Sequence, residues 1–221
     1  MGRKSLKTIR QKEIIRVFYK VAKKEGLENA SIAKTAAALN INPSLILHYF
    51  ATREQLVSGL IDYILDQYLL IYRVDRYNGH DPRSSLLAAI DNIFSKKWNA
   101  LFDDGVSYSC YSLAFRDRKI KRKYKLLLDR LRKTLEDLIR LCVDEGIITA
   151  KDPARIADLI FVLVDGAYYY LSLVDSKTEY QRRLDAYKQQ AIQLLSLNDA
   201  PAQRRGKNFR GHAQLAGKQR N

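Results

Sequence analysis

The stretch SIAKTAAALNINPSLILHYFATREQL, residues 31–56, decides how this chain folds. Ser31 stands where a helix N-cap belongs, small and apolar residues follow to Leu39, and Asn40 is a residue type that accepts the left-handed conformation closing a helix. Asn42 and Pro43 then start another helix at once, because a proline's missing N–H costs nothing in a first turn. That second helix ends near Tyr49 or Phe50. Thr52, with Gln55 three residues on, is a capping box that opens a further helix through Leu56, Leu60, Ile64 and Leu65 toward Tyr72. Helix, tight turn, short helix, new helix is a helix-turn-helix arrangement, and its second helix has the dimensions to enter a DNA major groove.

Upstream, Ile14, Val17, Phe18, Val21 and Ala22 recur at helical spacing between Leu6 and Glu25, and Gly26 supplies the C-terminal stop. Downstream, beyond a loop at Asn78–Pro82, helical stretches are expected at Arg83–Phe102, Val106–Phe115, Lys119–Glu145, Pro153–Val174 and Thr178–Leu195. No window alternates as a β-strand does. The expected fold is all-α. Residues 1–52 read as a three-helix DNA-binding domain, residues 53–197 as a helical bundle for dimerisation and ligand binding, and residues 198–221 as a disordered basic tail poor in large apolar residues.

On the second helix of the motif, Ile46 and Phe50 are spaced i, i+4 and face a core, which leaves Pro43, Ser44, Leu45, Leu47, His48 and Tyr49 around the exposed side. Exposed leucines and a tyrosine beside a histidine suit thymine methyls, sugars and phosphates better than water. Ser31, Asn42 and Arg53 lie at helix starts, where backbone amides attract phosphate oxygens, and Lys34 adds charge nearby. The DNA-binding set is therefore Ser31, Lys34, Asn42, Pro43, Ser44, Leu45, Leu47, His48, Tyr49 and Arg53.

A formal net charge of +15 over 221 residues favours a polyanionic partner. The excess is uneven: residues 1–60 carry 11 Lys/Arg against 4 Asp/Glu, residues 61–196 carry 22 against 19, and residues 197–221 carry 6 against 1. Within the balanced middle, Arg116–Lys133 packs ten basic residues with two aspartates, which reads as a solvated helix face or, alternatively, as the surface of a helical RNA-binding or scaffolding protein. Cys110 and Cys142 form no CxxC pattern, and three scattered histidines suggest no metal site. No cofactor is expected. No GxSxG, phosphate-cradling glycine loop or HExxH is present to carry catalysis, so no catalytic residue is assigned. The apolar run Ile156–Val174 contains Asp158 and Asp165 and follows a helical stripe, so it reads as a buried helix rather than a membrane span. Without a signal segment the chain is expected in the cytoplasm.

Phe18, Gly26, Ser31, Ala36, Ile41, His48-Tyr49-Phe50, Arg53 and Leu56 together resemble, in order and spacing, the DNA-binding domain of TetR-type transcriptional regulators. Ala33, Thr35, Asn40 and Leu47 depart from that family's usual residues, Leu47 replacing a frequent phosphate-binding tyrosine. Asp165-Gly166-Ala167 followed by Tyr168-Tyr169-Tyr170, after an Arg-rich helix, resembles the C-terminal domain of the choline-responsive Bet-type repressors within the family. The resemblance implies a homodimeric, ligand-responsive regulator, a repressor released by a small-molecule effector from a pseudo-palindromic double-stranded DNA operator.

Two apolar stripes fit that dimer: Ile156, Leu159, Ile160, Leu163, Ala167 and Leu171 on one helix, and Leu184, Tyr187, Ala191 and Leu194 on the next. For the effector pocket the candidates are Trp98, Phe102, Tyr108, Tyr111, Phe115, Phe161 and Tyr168, with Asp165 as a carboxylate suited to a cation in an aromatic cage.

Overall fold

A computed structural model describes residues 3–71, 81–97 and 102–197. Its helices are α1 (Arg3–Glu25), α2 (Ile32–Leu39), α3 (Pro43–Tyr49), α4 (Arg53–Ile71), α5 (Pro82–Ile93), α6 (Asp104–Ser112), α7 (Arg118–Asp144), α8 (Pro153–Leu171) and α9 (Lys177–Leu194), with a 3-10 turn at Leu113–Phe115. Among the described residues β-pairing is limited to one isolated bridge, Ile148 to Leu197. The fold is all-α. The expected tail, residues 198–221, and Trp98 lie outside the described residues.

Local chemistry sets the helix ends. Gly26 closes α1 at φ +84°, and Asn40 closes α2 at φ 54°, both in the left-handed region. Ser31 accepts from the Lys34 N–H and Asn42 from the Ser44 N–H, each N-cap contributing about 1 kcal/mol. Thr52 Oγ1 accepts from the Gln55 N–H at 3.3 Å, while Gln55 Oε1 reaches the N–H of Ala51 at 2.9 Å, one residue before the cap. Asp81, Asp103, Asp117, Asp152 and Ser176 cap α5 to α9 in the same manner.

Two cores stack along the molecule, and α7 runs through both. The first joins Ile14 and Phe18 of α1, Ala36 of α2, Ile46 and Phe50, then Leu56, Leu60, Ile61 and Ile64 of α4, Val106 and Cys110 of α6, and Tyr124, Leu127 and Leu131 of α7. The second joins Leu86, Ile90 and Ile93 of α5, Leu135 and Ile139 of α7, Ile160 and Leu171 of α8, and Leu184 and Ala191 of α9. Each fully buried aliphatic side chain contributes about 1.5–3 kcal/mol. The first core runs unbroken across residues 52 and 53, since α4 packs on α1 as well as on α6 and α7. Gly59 marks the closest approach: a Cβ there would stand 2.8 Å from Ile15 Cδ1 and 3.2 Å from Phe50 Cε1.

Several expectations need correction. The helix foreseen at Arg83–Phe102 breaks at Ile93, where Phe94 leaves helical geometry and the Tyr168 hydroxyl of α8 donates to the Ile93 carbonyl at 2.7 Å. A side chain 75 residues away thus helps end α5. On α2, only Thr35 and Ala36 are buried, and Thr35 is satisfied by donating to the Ser31 carbonyl at 2.8 Å. Of the residues expected at a dimer contact, Ile160, Ala167, Leu171, Leu184 and Ala191 are buried within the protomer. Ile160, Leu171, Leu184 and Ala191 pack the second core and are not available to a partner.

Candidate nucleic-acid interface and ligand cavity

The short α3 is held from beneath. Ile46 is fully buried and Phe50 nearly so, while Pro43, Ser44, Leu45, Leu47 and His48 are exposed, Leu47 with 44% of its surface open. Tyr49 differs from its expected place on the open side: it is half-buried against the first core, edge-on to His48 at 5.2 Å, and its carbonyl accepts from Gln11 Nε2 at 3.4 Å. The outer face therefore offers Leu45, Leu47 and His48 as apolar and hydrogen-bonding contacts on a rigid base.

Around α3, three expected phosphate contacts have partners inside the protein. Ser31 Oγ caps α2. Lys34 Nζ pairs with Glu25 Oε2 at the end of α1. Arg53 donates from Nε to the Ala30 carbonyl at 3.1 Å and from Nη2 to the Leu27 carbonyl at 2.6 Å. These carbonyls belong to the α1–α2 connection, so Arg53 straps that loop to the start of α4.

Between α4, α6, α7 and α8 lies a cavity of about 440 Å³, within the range of small-molecule sites. Of the expected pocket residues, Phe102, Tyr108, Tyr111, Phe161, Asp165 and Tyr168 line it. Phe115 does not: it is 75% exposed and packs edge-on against Tyr111 at 5.5 Å. Sequence reasoning missed Tyr68, Asp104, Ser107, Tyr124 and Tyr169, which complete the polar and aromatic wall. Tyr68 stacks on Phe102 at 4.4 Å, Tyr108 meets Tyr169 edge-on at 6.1 Å, and Tyr111 meets Tyr124 edge-on at 5.2 Å.

The cavity wall is acidic in a basic chain. Asp104 and Asp165 line it, and among the described residues no Lys, Arg or His does. Partial desolvation raises the pKa of both carboxyls from the usual aspartate value although each residue keeps solvent exposure, Asp103 adding to the effect on Asp104. The same desolvation raises Tyr68, Tyr108 and Tyr124. Cys110, behind the wall, is pushed up to about 12 by burial, and Cys142 to about 11, so neither is a reactive thiolate at neutral pH.

The cavity touches the helix-turn-helix through one end of α6. Asp103 caps α6, its N–H donates to the Tyr19 hydroxyl of α1 at 2.7 Å, and its carboxylate lies 3.8 Å from Lys23 of α1. Lys123 of α7 makes a parallel tie to α4, pairing with Asp62 at 2.6 Å and donating to Ser58 Oγ at 3.1 Å. Within the basic run of α7, Lys125, Arg132 and Lys133 also pair with carboxylates, at Asp129, Asp158 and Asp137. Much of that run is therefore an ion-paired helix face.

Along α8 and just past its C-terminal end an outward ridge remains. Leu159, Val162, Gly166, Tyr169 and Leu173 follow one another at intervals of three and four residues, all exposed, Val162 by 61% and Leu173 by 73%. A Cβ on Gly166 would meet nothing within 4 Å. Ile156 and Leu163 on α8, and Tyr187 and Leu194 on α9, are half-buried. Among the described residues no helix is long and apolar enough to cross a membrane.

Comparison with known proteins agrees with this geometry. Residues 81–197 match the family model described as the tetracyclin repressor-like C-terminal domain. The chain is 25% identical over 173 residues to the HTH-type transcriptional regulator BetI of Rhizobium meliloti (strain 1021), covering 78% of this chain and 83% of that one. It is 27% identical over 97 residues to the BetI regulator of Stenotrophomonas maltophilia (strain R551-3), covering 42% of this chain and 48% of that protein. A TetR transcription regulator from Haloarcula marismortui ATCC 43049 superposes with a TM-score of 0.73 at 19% identity, covering 86% of this chain and 100% of its own. A transcriptional regulator from Saccharomonospora viridis, solved in complex with choline, superposes with a TM-score of 0.71 at 14% identity, covering 86% and 99%.

Proposed function

This chain belongs to the tetracyclin repressor-like family of DNA-binding transcriptional regulators, and from that premise we propose that it works as a homodimeric repressor released from its operator by a small cationic effector. Residues 1–52 act as the reading head and residues 53–197 as the dimerising, ligand-binding body, with α4 shared between their packing.

The observation that carries the reading is the anchoring of α3. Buried Ile46 and Phe50 fix the helix while Leu45, Leu47 and His48 project outward. A helix so held can enter the major groove, where the leucines meet thymine methyls and His48 hydrogen-bonds a base edge. Asn42, Pro43 and Ser44 at its start, with Ser31, Lys34 and Tyr49 beside it, position it on sugars and phosphates. Arg53 supports that surface by holding the α1–α2 connection.

The α8 ridge is the contact for a second copy, with Ile156, Leu163, Tyr187 and Leu194 at its margin. A two-fold axis there presents two α3 helices to half-sites roughly 34–36 Å apart, or a multiple of that spacing, on a pseudo-palindromic operator.

For the effector, an acidic cavity walled by tyrosines favours a cation through charge and ring faces together. The choline complex of the Saccharomonospora protein supports the same class. Occupancy of α6 is felt at Tyr19 and Lys23, so the cation favours one relation of α1 to the body over another.

Footprinting on the DNA flanking its own gene tests the reading. A symmetric protected site, lost in Leu47→Glu without loss of the folded state, is the expected result. Equal protection by the variant would refute the assignment of α3.

A further inference from the structure

Among the described residues the cavity wall holds two acids and no base, in a chain whose formal charge is +15. Even α7, the most basic helix, contributes only Tyr124, Leu127, Leu128 and Leu131 to it and turns its lysines and arginines elsewhere. Among the described residues Asp104 and Asp165 have no ion pair and no hydrogen bond, while several carboxylates outside the cavity are taken up by Lys23, Lys123, Arg132, Lys133 and Lys188. Both residues keep contact with solvent, and two unpaired carboxylates beside aromatic rings leave their charge for a ligand to meet.

The two acids sit on different helices, Asp104 at the first residue of α6 and Asp165 in the interior of α8. Neither raises the pKa of the other, whereas the hydroxyls of Tyr68 and Tyr108 feel both. The two acids thus act on the same tyrosines from two different helices of the wall. A second observation concerns the wall itself. Ser107 Oγ and Tyr124 OH have no hydrogen-bond partner although each residue is only 7% exposed. Unsatisfied buried hydroxyls call for a partner, and an ammonium N–H is a donor that a quaternary ammonium lacks.

Resting on the cationic reading above, we infer that the cavity takes a two-headed amine: a small organic dication with a protonated primary or secondary amine at each end, one head at Asp104 and the other at Asp165. Its hydrocarbon middle lies along the faces of Tyr68, Tyr108 and Tyr169, and its N–H groups meet the Ser107 and Tyr124 hydroxyls once side-chain rotation turns these from the wall into the cavity. A monocation can neutralise one pole only and leaves the other carboxylate uncompensated.

Calorimetric titration of the full-length protein with 1,4-diaminobutane, 1,6-diaminohexane and 1,8-diaminooctane, against n-hexylamine and choline, tests this. The best diamine should bind about tenfold more tightly than either monocation. Asp104→Asn and Asp165→Asn should each bring that diamine to the affinity of hexylamine while changing hexylamine itself by about twofold or less, since it can use either pole. Tyr124→Phe, which removes an unsatisfied hydroxyl and so should fold, should narrow the preference for diamine over choline. Choline or hexylamine binding as tightly as every diamine would overturn the two-headed inference and leave the cationic reading standing. No binding by any of the five would overturn both.

Discussion

The hydroxyl of Tyr19 accepts a 2.7 Å hydrogen bond from the backbone N–H of Asp103, joining the first helix of the DNA-reading unit to the cap of the helix that floors the cavity. Asp103 also caps α6 through the Val106 N–H and faces Lys23, so α6 cannot tilt without disturbing α1. Burial raises the Tyr19 pKa, keeping the hydroxyl neutral across the working range. Tyr19→Phe should preserve operator affinity and narrow the difference in affinity with and without cation by about fivefold or more. Gel shifts at graded ligand concentration decide it, and an undiminished ligand effect would show that the signal travels elsewhere.

Arg53 is expected to matter for stability. Its guanidinium serves two backbone carbonyls, and removing it strands both. Arg53→Ala should destabilise the protein by about 1.5–3 kcal/mol. Arg53→Lys should recover little, because a lysine cannot present the same fork. Urea melts give the number. A wild-type melt with a flattened salt dependence of DNA binding would instead make Arg53 a phosphate contact.

Readout and anchoring on α3 should separate by mutation. Leu47→Ala and His48→Ala change exposed side chains and should leave the melting temperature nearly unchanged while lowering discrimination between operator and mismatched DNA by about 1–3 kcal/mol per lost base contact. Ile46→Ala opens a fully buried site and should cost about 2–5 kcal/mol of stability. Tyr49→Ala, half-buried, should do some of each. Paired melts and competition gel shifts distinguish the three behaviours.

Features written in neighbouring residues were legible in the sequence. Ser31 with Lys34, Asn42 with Ser44, Asn40, and Thr52 with Gln55 act within four residues, and each acts near where its type and position indicated. Features set by distant backbone were not. Arg53 binds carbonyls 23 and 26 residues upstream, and a carbonyl acceptor leaves no mark on side-chain identity. Tyr68 enters the cavity from α4, and Asp104 reaches it from the first turn of α6, because of how the helices cross. On α8 the hydrophobic period is real but wide enough for two faces, and only packing tells Ile160 and Leu171, turned inward, from Val162 and Leu173, turned outward.

The cavity acids should leave a pH signature of definite sign. Burial raises the folded-state pKa of Asp104 and Asp165, so as pH climbs from the unfolded value through the raised one the folded state holds protons longer, and stability falls. Above that window the penalty is complete. Asp104→Asn and Asp165→Asn should therefore melt at or above the wild-type temperature at neutral pH, with no advantage in acid. A bound cation reverses the effect, so its stabilisation should grow as pH rises through the same window. Thermal melts over a pH series check both slopes, and variants that melt lower at neutral pH would contradict the desolvation of these groups.

Disrupting the ridge along α8 and just past its end should break the dimer. Its exposed residues Leu159, Val162, Tyr169 and Leu173 follow a three-four spacing around Gly166, whose missing side chain lets a second helix approach closely. Gly166 and Tyr169 also belong to the cavity wall, so a partner docked on the ridge covers one side of the cavity. Val162→Glu with Leu173→Glu should yield a folded monomer by sedimentation, with helical content and first-core stability retained. Such a monomer should lose operator affinity by about 100-fold or more, since two half-sites are no longer held at once. Ile160→Glu, placed in the second core, should unfold the body instead. A double variant that sediments as a dimer would move the interface off this ridge, because two buried glutamates facing a partner across a two-fold axis repel each other and have no basic side chain on the ridge to meet.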